Sequence, residues 1–173
     1  MLLQIFLHQN YYIYAEDIDG DGIMELPRLL SMKSTTGSAA EEKQSLICWY
    51  SVNLSGVETE KRYTFHNYDG GWYLNLDSSW MSRVAMERSE TACIFYIWNE
   101  NYGEAQKAFT VTAFTGLDRN EKAVENNYFV LYRGQSVVYA ARLETVSALY
   151  GITQAYLTNS FHLIQQDMKI AQT

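Results

Sequence analysis

The fold class is decided by one apolar stretch, Thr91-Ala92-Cys93-Ile94-Phe95-Tyr96-Ile97-Trp98. A run of this length that is rich in β-branched and aromatic residues is typical of a strand covered on both faces. We therefore expect an interior strand of a sheet at 91–98. Similar or alternating patterns on either side predict further strands, at 46–52, 62–66, 72–76, 80–87, 108–114, 128–132 and 136–141.

The last part of the chain changes its hydrophobic period. Apolar residues follow one another at the spacing of a helix face at Leu149, Ile152, Ala155 and Tyr156. This spacing predicts a C-terminal helix packed on the sheet, and the charged stretch 117–127 predicts a second, short helix. Together the patterns predict an α+β fold, in which an antiparallel sheet carries a C-terminal packing helix.

A motif of a different kind lies near the amino end, in the segment 17–25, whose sequence is DIDGDGIME. Hard divalent cations prefer oxygen ligands, and glycines at two positions allow the backbone to wrap around an ion. The expected ligands are the side chains of Asp17, Asp19 and Asp21, the carbonyl of Ile23 and the side chain of Glu25. Calcium is favoured over magnesium because the segment offers many flexible oxygens.

Two alternatives to this site have less support. An EF-hand would need a bidentate glutamate at the twelfth position, which is Arg28 here, directly after Pro27. A plain polar turn would need only one Asp-Gly pair, and the crowded carboxylates would repel one another without a cation. We therefore favour a metal loop. A structural role is favoured over a sensing role, since no second loop accompanies it.

The flanks of this motif predict how the chain is organised. The β-rich run Tyr11-Tyr12-Ile13-Tyr14 and the segment 24–30 predict the two strands of a hairpin around the loop. A polar stretch then breaks the pattern. We expect a calcium-binding β-hairpin at 1–32, a linker at 33–45 and an α+β domain at 46–173. The apolar start, residues 1–7, predicts a strand, because it is too short for a membrane span and lacks the features of a complete signal peptide.

The loop resembles the Asp-x-Asp-Gly-Asp-Gly-x-x-Asp/Glu loops of FG-GAP and VCBS-type repeats, although one copy is too few for a propeller. From Tyr63 onward, the order of elements resembles the PsbP-like family, on the strength of Trp72-Tyr73-Leu74, the run 92–98, Tyr139-Ala140-Ala141 and a helix that ends at Ser160-Phe161. This second resemblance implies an α/β/α sandwich and a noncatalytic binding or assembly role. It also implies a bacterial surface protein or lipoprotein.

The composition of the chain favours some classes of binding partner over others. The net charge is −7 and no lysine or arginine cluster occurs, so nucleic acid is an unfavourable partner. Aromatic residues make up 14% of the chain, which suits sheet packing and also protein or carbohydrate surfaces. A calcium site of modest affinity needs the calcium levels found outside the cell, so we expect an extracellular or cell-surface location. The hairpin can also contribute to a homo-oligomer by completing a sheet across chains.

Catalysis has weaker support than binding. Each histidine, His8, His66 and His162, is isolated, and the common nucleophile, zinc and phosphate motifs are missing from the sequence. Cys48 and Cys93 lie in apolar runs and are expected to be buried thiols. The alternative function is a hydrolase of a polysaccharide or cell-wall component, with carboxylates chosen from Asp69, Asp77 and Glu100 near Trp72, Trp80 and Trp98. The binding or scaffold domain stands first.

Overall fold

The computed structural model describes residues 4–7, 11–36, 44–101, 103–164 and 170–172. The strands are β1 Gln4–Leu7, β2 Tyr11–Tyr14, β3 Leu26–Ser31, β4 Ser45–Val52, β5 Glu58–Asn67, β6 Trp72–Leu76, β7 Val84–Arg88, β8 Ala92–Asn99, β9 Glu104–Thr115, β10 Phe129–Arg133, β11 Val137–Leu143, β12 Phe161–Leu163 and β13 Ile170–Gln172. The helices are α1 Arg119–Lys122 and α2 Gln154–Ser160, with 3-10 helices at Ser78–Trp80 and Thr145–Tyr150.

The prediction of an α+β fold is wrong, because the chain is mostly β. Strands take up 51% of it and helical turns 15%, so the α/β/α sandwich implied by the PsbP-like resemblance is not its fold class. The predicted C-terminal helix is short for a physical reason. Gly151, with a φ of 68°, ends the 3-10 helix, and the Thr153 side chain caps a new helix by accepting a hydrogen bond from the Tyr156 amide. The helical spacing therefore spans a break, and β12 follows at Phe161.

The chain divides into two compact units. The first unit contains residues 1–31, 45–81 and 162–173, and the second contains residues 32–44 and 82–161. This division differs from the predicted order of hairpin, linker and domain, because β3 and β4 on either side of the predicted linker pair with each other in one sheet.

The first unit contains a five-stranded sheet of order β12-β6-β5-β4-β3 and a three-stranded sheet of order β1-β2-β13. Its large buried side chains include Trp49, Phe65, Trp72 and Leu74. The predicted hairpin around residues 17–25 is not a regular one. Its two flanking strands belong to different sheets, since β2 pairs with β1 and β13 whereas β3 pairs with β4.

The second unit contains an antiparallel sheet of order β10-β11-β9-β8-β7. The expectation of an interior strand at 91–98 is confirmed, because β8 lies between β9 and β7 and stacks Phe95 on Phe109 at 4.5 Å between ring centroids. The predicted strand 80–87 is correct only from Val84. The Asp77 carboxylate accepts a hydrogen bond from the Ser79 amide and so caps the 3-10 helix Ser78–Trp80, and a turn at 81–83 separates this helix from β7.

The helices among the described residues are all short. Within the described ranges, no helix has the length and apolar character needed to span a bilayer.

Candidate metal centre

The acidic segment forms a closed loop. Glu16 and Glu25 pair as an isolated antiparallel bridge, with the Glu16 amide 3.1 Å from the Glu25 carbonyl oxygen and the Glu25 amide 2.9 Å from the Glu16 carbonyl oxygen. Between them Gly20 and Gly22 adopt φ values of 78° and 83°. Only glycine takes this left-handed conformation at little cost, so these two residues allow the chain to turn tightly inside the loop.

Asp17 organises the backbone of the loop. Its Oδ1 atom accepts hydrogen bonds from the amides of Gly20, at 2.8 Å, and Asp21, at 3.1 Å. Its Oδ2 atom accepts one from the Gly22 amide at 2.9 Å. Three backbone donors therefore converge on one half-buried carboxylate, which fixes its position.

Asp19 and Asp21 each use one oxygen within the loop. Asp19 Oδ1 accepts a hydrogen bond from the Asp21 amide at 3.2 Å, and Asp21 Oδ1 accepts one from the Ile23 amide at 2.8 Å. One oxygen from each of Asp17, Asp19 and Asp21 lies within 4.8 Å of the others. Of the five predicted ligands, these three carboxylates are brought together. Ile23 follows them in the loop, and its side chain is exposed.

Glu25 differs from the other carboxylates because it is completely buried. Its Oε2 atom accepts a hydrogen bond from the Ile18 amide at 3.0 Å, which directs the side chain back into the base of the loop. Its Oε1 atom has no hydrogen-bond partner among the residues that the structure describes. A buried carboxylate oxygen without a partner is costly, so this atom marks a place where a cation would lower the free energy.

Two basic side chains on β5 hold the loop, and sequence reasoning missed both. The Lys61 Nζ atom lies 2.8 Å from Asp21 Oδ2 and 3.4 Å from Asp19 Oδ2. The Arg62 Nη1 atom donates a hydrogen bond of 2.7 Å to the Ile18 carbonyl oxygen. The basic residues are far from the motif in sequence, and the segment 17–25 by itself contains no signal for them.

A β-bulge explains how two consecutive residues reach the same loop. In a regular strand, neighbouring side chains point to opposite faces. Here Arg62 is opposite Trp49 and Glu60 is opposite Tyr50, so the register shift leaves Lys61 as an extra residue without a partner on β4. A bulge of this kind redirects side chains, and it allows both Lys61 and Arg62 to contact the loop.

The ion pair between Lys61 and Asp21 shifts the pKa of each partner in the direction expected of a charge-assisted hydrogen bond. The hydrogen bond from Lys61 is the main cause that lowers the pKa of Asp21. The same hydrogen bond raises the pKa of Lys61. One ammonium thus neutralises part of the negative charge in the loop, which contains three clustered carboxylates and the buried Glu25. The expectation that only a bound ion makes the cluster tolerable is therefore too strong.

The arrangement suits a hard cation. Its donors are carboxylate oxygens, with no thiolate or imidazole in the cluster found among the described residues. Oxygen donors in a flexible loop match calcium, whereas zinc and copper sites normally include nitrogen or sulfur. Asp17, Asp19 and Asp21 are the side chains that the structure groups closely enough to hold an ion, and Glu25 does not belong to that group.

The other residues singled out in the sequence have structural roles. His66 is buried beside Thr64, with 2.9 Å between His66 Nε2 and Thr64 Oγ1, and His162 lies 3.1 Å from the Asn75 side chain. Trp72 and Trp80 are buried in the core, whereas Trp98 is half-buried. His8 lies outside the described residues.

The carboxylates considered for hydrolysis are exposed. Asp69, Asp77 and Glu100 all lie at the surface. The hydrogen bonds from Ser79 lower the pKa of Asp77, which is the opposite of the raised pKa that a general acid requires. Cys48 and Cys93 are buried thiols, as expected.

Comparisons with known proteins find no matching family model, no matching curated protein and no matching solved structure. The resemblances to FG-GAP or VCBS-type loops and to the PsbP-like family stay predictions from the residues.

Proposed function

We propose that the loop 17–25 binds one calcium ion and that the ion has a structural role in an extracellular or cell-surface binding or scaffold domain. The observation that carries the proposal is the Glu25 Oε1 atom, which is buried and without a hydrogen-bond partner among the described residues. It belongs to the same closed loop that gathers the carboxylates of Asp17, Asp19 and Asp21 within 4.8 Å.

Clustered surface acids are common without a metal, and Lys61 already pairs with two of these. Glu25 is different because its carboxylate is buried and, among the residues that the structure describes, accepts one hydrogen bond, from the Ile18 amide. Burial of a carboxylate is unfavourable unless a positive charge or hydrogen-bond donors compensate it. A divalent ion at the base of the loop would supply that charge, with the Ile23 carbonyl as the expected backbone ligand.

The position of the loop supports a structural role for the ion. Residues 15–25 connect β2 of the three-stranded sheet to β3 of the five-stranded sheet, both in the first unit. An ion that binds the folded loop and not the unfolded chain stabilises the fold by mass action, by about 2.7 kcal/mol when its concentration is a hundred times the dissociation constant. Calcium would therefore stabilise the connection between these two sheets.

The location and the partner are proposed on chemical grounds. Loops that bind calcium with modest affinity are loaded at the calcium concentrations found outside cells. The aromatic content of the chain suits a protein or carbohydrate ligand, and its net charge of −7 disfavours nucleic acid.

The test is calcium titration of the purified chain by calorimetry, together with thermal unfolding in calcium and in EDTA. We expect one ion per chain and a higher Tm in calcium. Asp19→Ala and Glu25→Gln are expected to remove this increase, because each takes away a charged ligand. Glu58→Gln is the matched control, since Glu58 forms an exposed ion pair with Arg28, 2.6 Å long, outside the loop.

An unchanged Tm at millimolar calcium, with no heat of binding, would overturn the proposal. The proposal also fails if Glu25→Gln gains as much stability from calcium as the parent chain does. Magnesium at equal concentration is expected to give the smaller shift, because it demands a tighter octahedral set of ligands.

A further inference from the structure

We infer that Lys61 is a built-in competitor for the metal: calcium binds by displacing the Lys61 ammonium from Asp19 and Asp21, so this lysine sets the affinity of the loop. The inference rests on the proposed function of the loop 17–25 and concerns its regulation.

Hydrogen bonding decides which oxygens of the loop are available. The Oδ1 atoms of Asp19 and Asp21 accept backbone hydrogen bonds inside the loop, at 3.2 Å and 2.8 Å. The Oδ2 atoms are the ones that Lys61 contacts, at 3.4 Å and 2.8 Å. The ammonium therefore occupies the side of both carboxylates that the loop backbone leaves open.

A metal ion held by these two carboxylates would need the same side, because their other oxygens already accept backbone hydrogen bonds. Calcium lies about 2.3 to 2.6 Å from its oxygen ligands, closer than an ammonium nitrogen can approach. An ion and an ammonium that share two oxygens would be separated by only a few ångströms and would repel each other. The two cations thus exclude one another, and binding of the ion releases the side chain of Lys61.

The bulge shows that this lysine is placed at the loop by the backbone. Lys61 is the extra residue in β5 between the pairs Arg62 with Trp49 and Glu60 with Tyr50. Without the bulge, Lys61 and Arg62 would point to opposite faces of the sheet. Arg62 donates to the Ile18 carbonyl and not to the carboxylates that Lys61 contacts, so it can hold the loop against β5 after the Lys61 side chain is displaced.

The test is a calcium titration of Lys61→Met, which keeps most of the aliphatic stem and removes the charge. We expect calcium to bind this variant roughly two- to tenfold more tightly than the parent chain, the range for losing one exposed cation that competes for the site. In EDTA the variant should be less stable than the parent. Lys107→Met is the matched control. Lys107 lies on β9 and pairs with Glu144 at 3.4 Å, so its substitution should leave the calcium affinity of the loop unchanged.

A second measurement follows the lysine itself. Amine acetylation mapped by mass spectrometry should be faster at Lys61 in calcium than in EDTA, because the ammonium has lost its carboxylate partners. The rate at Lys107 should not change.

The outcomes separate the two claims. If the parent chain and Lys61→Met both fail to bind calcium, the proposed function is overturned and this inference falls with it. If the parent chain binds calcium, but Lys61→Met has the same affinity and the acetylation rate at Lys61 is indifferent to the ion, only the competition is overturned. Tighter binding by Lys61→Met with calcium-dependent acetylation of Lys61 in the parent chain supports both.

Discussion

Arg62 donates a hydrogen bond of 2.7 Å from its Nη1 atom to the carbonyl oxygen of Ile18, and so fastens the loop 17–25 to β5. The Ile18 amide, on the other side of the same residue, donates to Glu25. The Ile18 side chain packs against the cluster of Ile13, Ile47 and Trp49. The loop is thus anchored at a residue that does not belong to the acidic set.

Arg62→Met is expected to destabilise the chain with or without calcium. It leaves a partly buried carbonyl without its charged donor, which costs about 1 to 3 kcal/mol. Urea unfolding in EDTA measures the change. Arg28→Met is the control, because Arg28 pairs with Glu58 at the surface, and its loss should cost no more than about 1 kcal/mol. Equal effects of the two substitutions would contradict the anchoring role.

Gly22→Ala should lower both stability and calcium affinity. Gly22 has a φ of 83° and nothing within 4 Å of an added Cβ, so the cost is conformational, about 1 to 2 kcal/mol. Gly56→Ala provides a matched control, since Gly56 has a φ of 78° and equally open surroundings in the turn between β4 and β5. We expect similar losses of stability in EDTA for both variants, and weaker calcium binding only for Gly22→Ala. Urea unfolding measures the stability of both variants and calorimetry measures their calcium affinity. Equally weakened calcium binding by Gly56→Ala would contradict the prediction.

His66 is expected to make stability depend on pH. Burial lowers its pKa from the ordinary 6.5 to about 3. Between these values the unfolded chain binds one more proton than the folded chain, so the free energy of unfolding falls by about 1.4 kcal/mol for each unit that the pH falls. Well above pH 6.5 the histidine is neutral in both the folded and the unfolded chain, so its titration no longer changes the free energy of unfolding.

Urea unfolding of His66→Gln between pH 7 and pH 5 tests this dependence. The glutamine amide can still reach Thr64, and the variant should lose stability less steeply with acid than the parent chain. Parallel pH profiles for parent and His66→Gln would refute the prediction.

The two cysteines should be unreactive in the native protein. Cys48 is fully buried, and burial is the main cause that raises its pKa to about 11, with the Glu60 carboxylate contributing. Cys93 is also a buried thiol. Because the thiolate is the reactive form, a disulfide reagent at pH 8 should label neither thiol until urea unfolds the chain. Rapid labelling of either cysteine in native buffer would count against this packing.

The strands could be predicted from the sequence more fully than the fold class. The apolar run 91–98 identified β8 as an interior strand, but the expectation that both of its faces are covered is only partly met, because Cys93, Phe95 and Ile97 are buried and the residues between them are half-buried. The helical spacing from Leu149 to Tyr156 was misleading, since periodicity does not register the break at Gly151. Asp77 and the serines after it contained a capping signal for the 3-10 helix that the alternating pattern obscured.

The acidic residues of the candidate site could be predicted from the sequence, but the basic residues that contact them could not. Asp17, Asp19 and Asp21 are close in sequence, so a local motif suffices to bring them together. Lys61 lies on β5, which follows the motif only after β3 and β4, and it reaches the carboxylates through a β-bulge. A bulge depends on how two strands pair, so the local sequence does not predict it. The burial of Glu25 likewise depends on tertiary packing, which local sequence does not specify.

The packing of Ile18 against the cluster that contains Trp49 gives the loop an intrinsic optical reporter. The Trp49 indole is fully buried and donates a hydrogen bond of 2.9 Å to Thr64 Oγ1, an environment in which its emission differs from that in water. Any rearrangement that withdraws Ile18 from this cluster alters the surroundings of the fluorophore. The state of the loop can therefore be followed by tryptophan fluorescence without an attached dye, with Trp49→Phe as the blank.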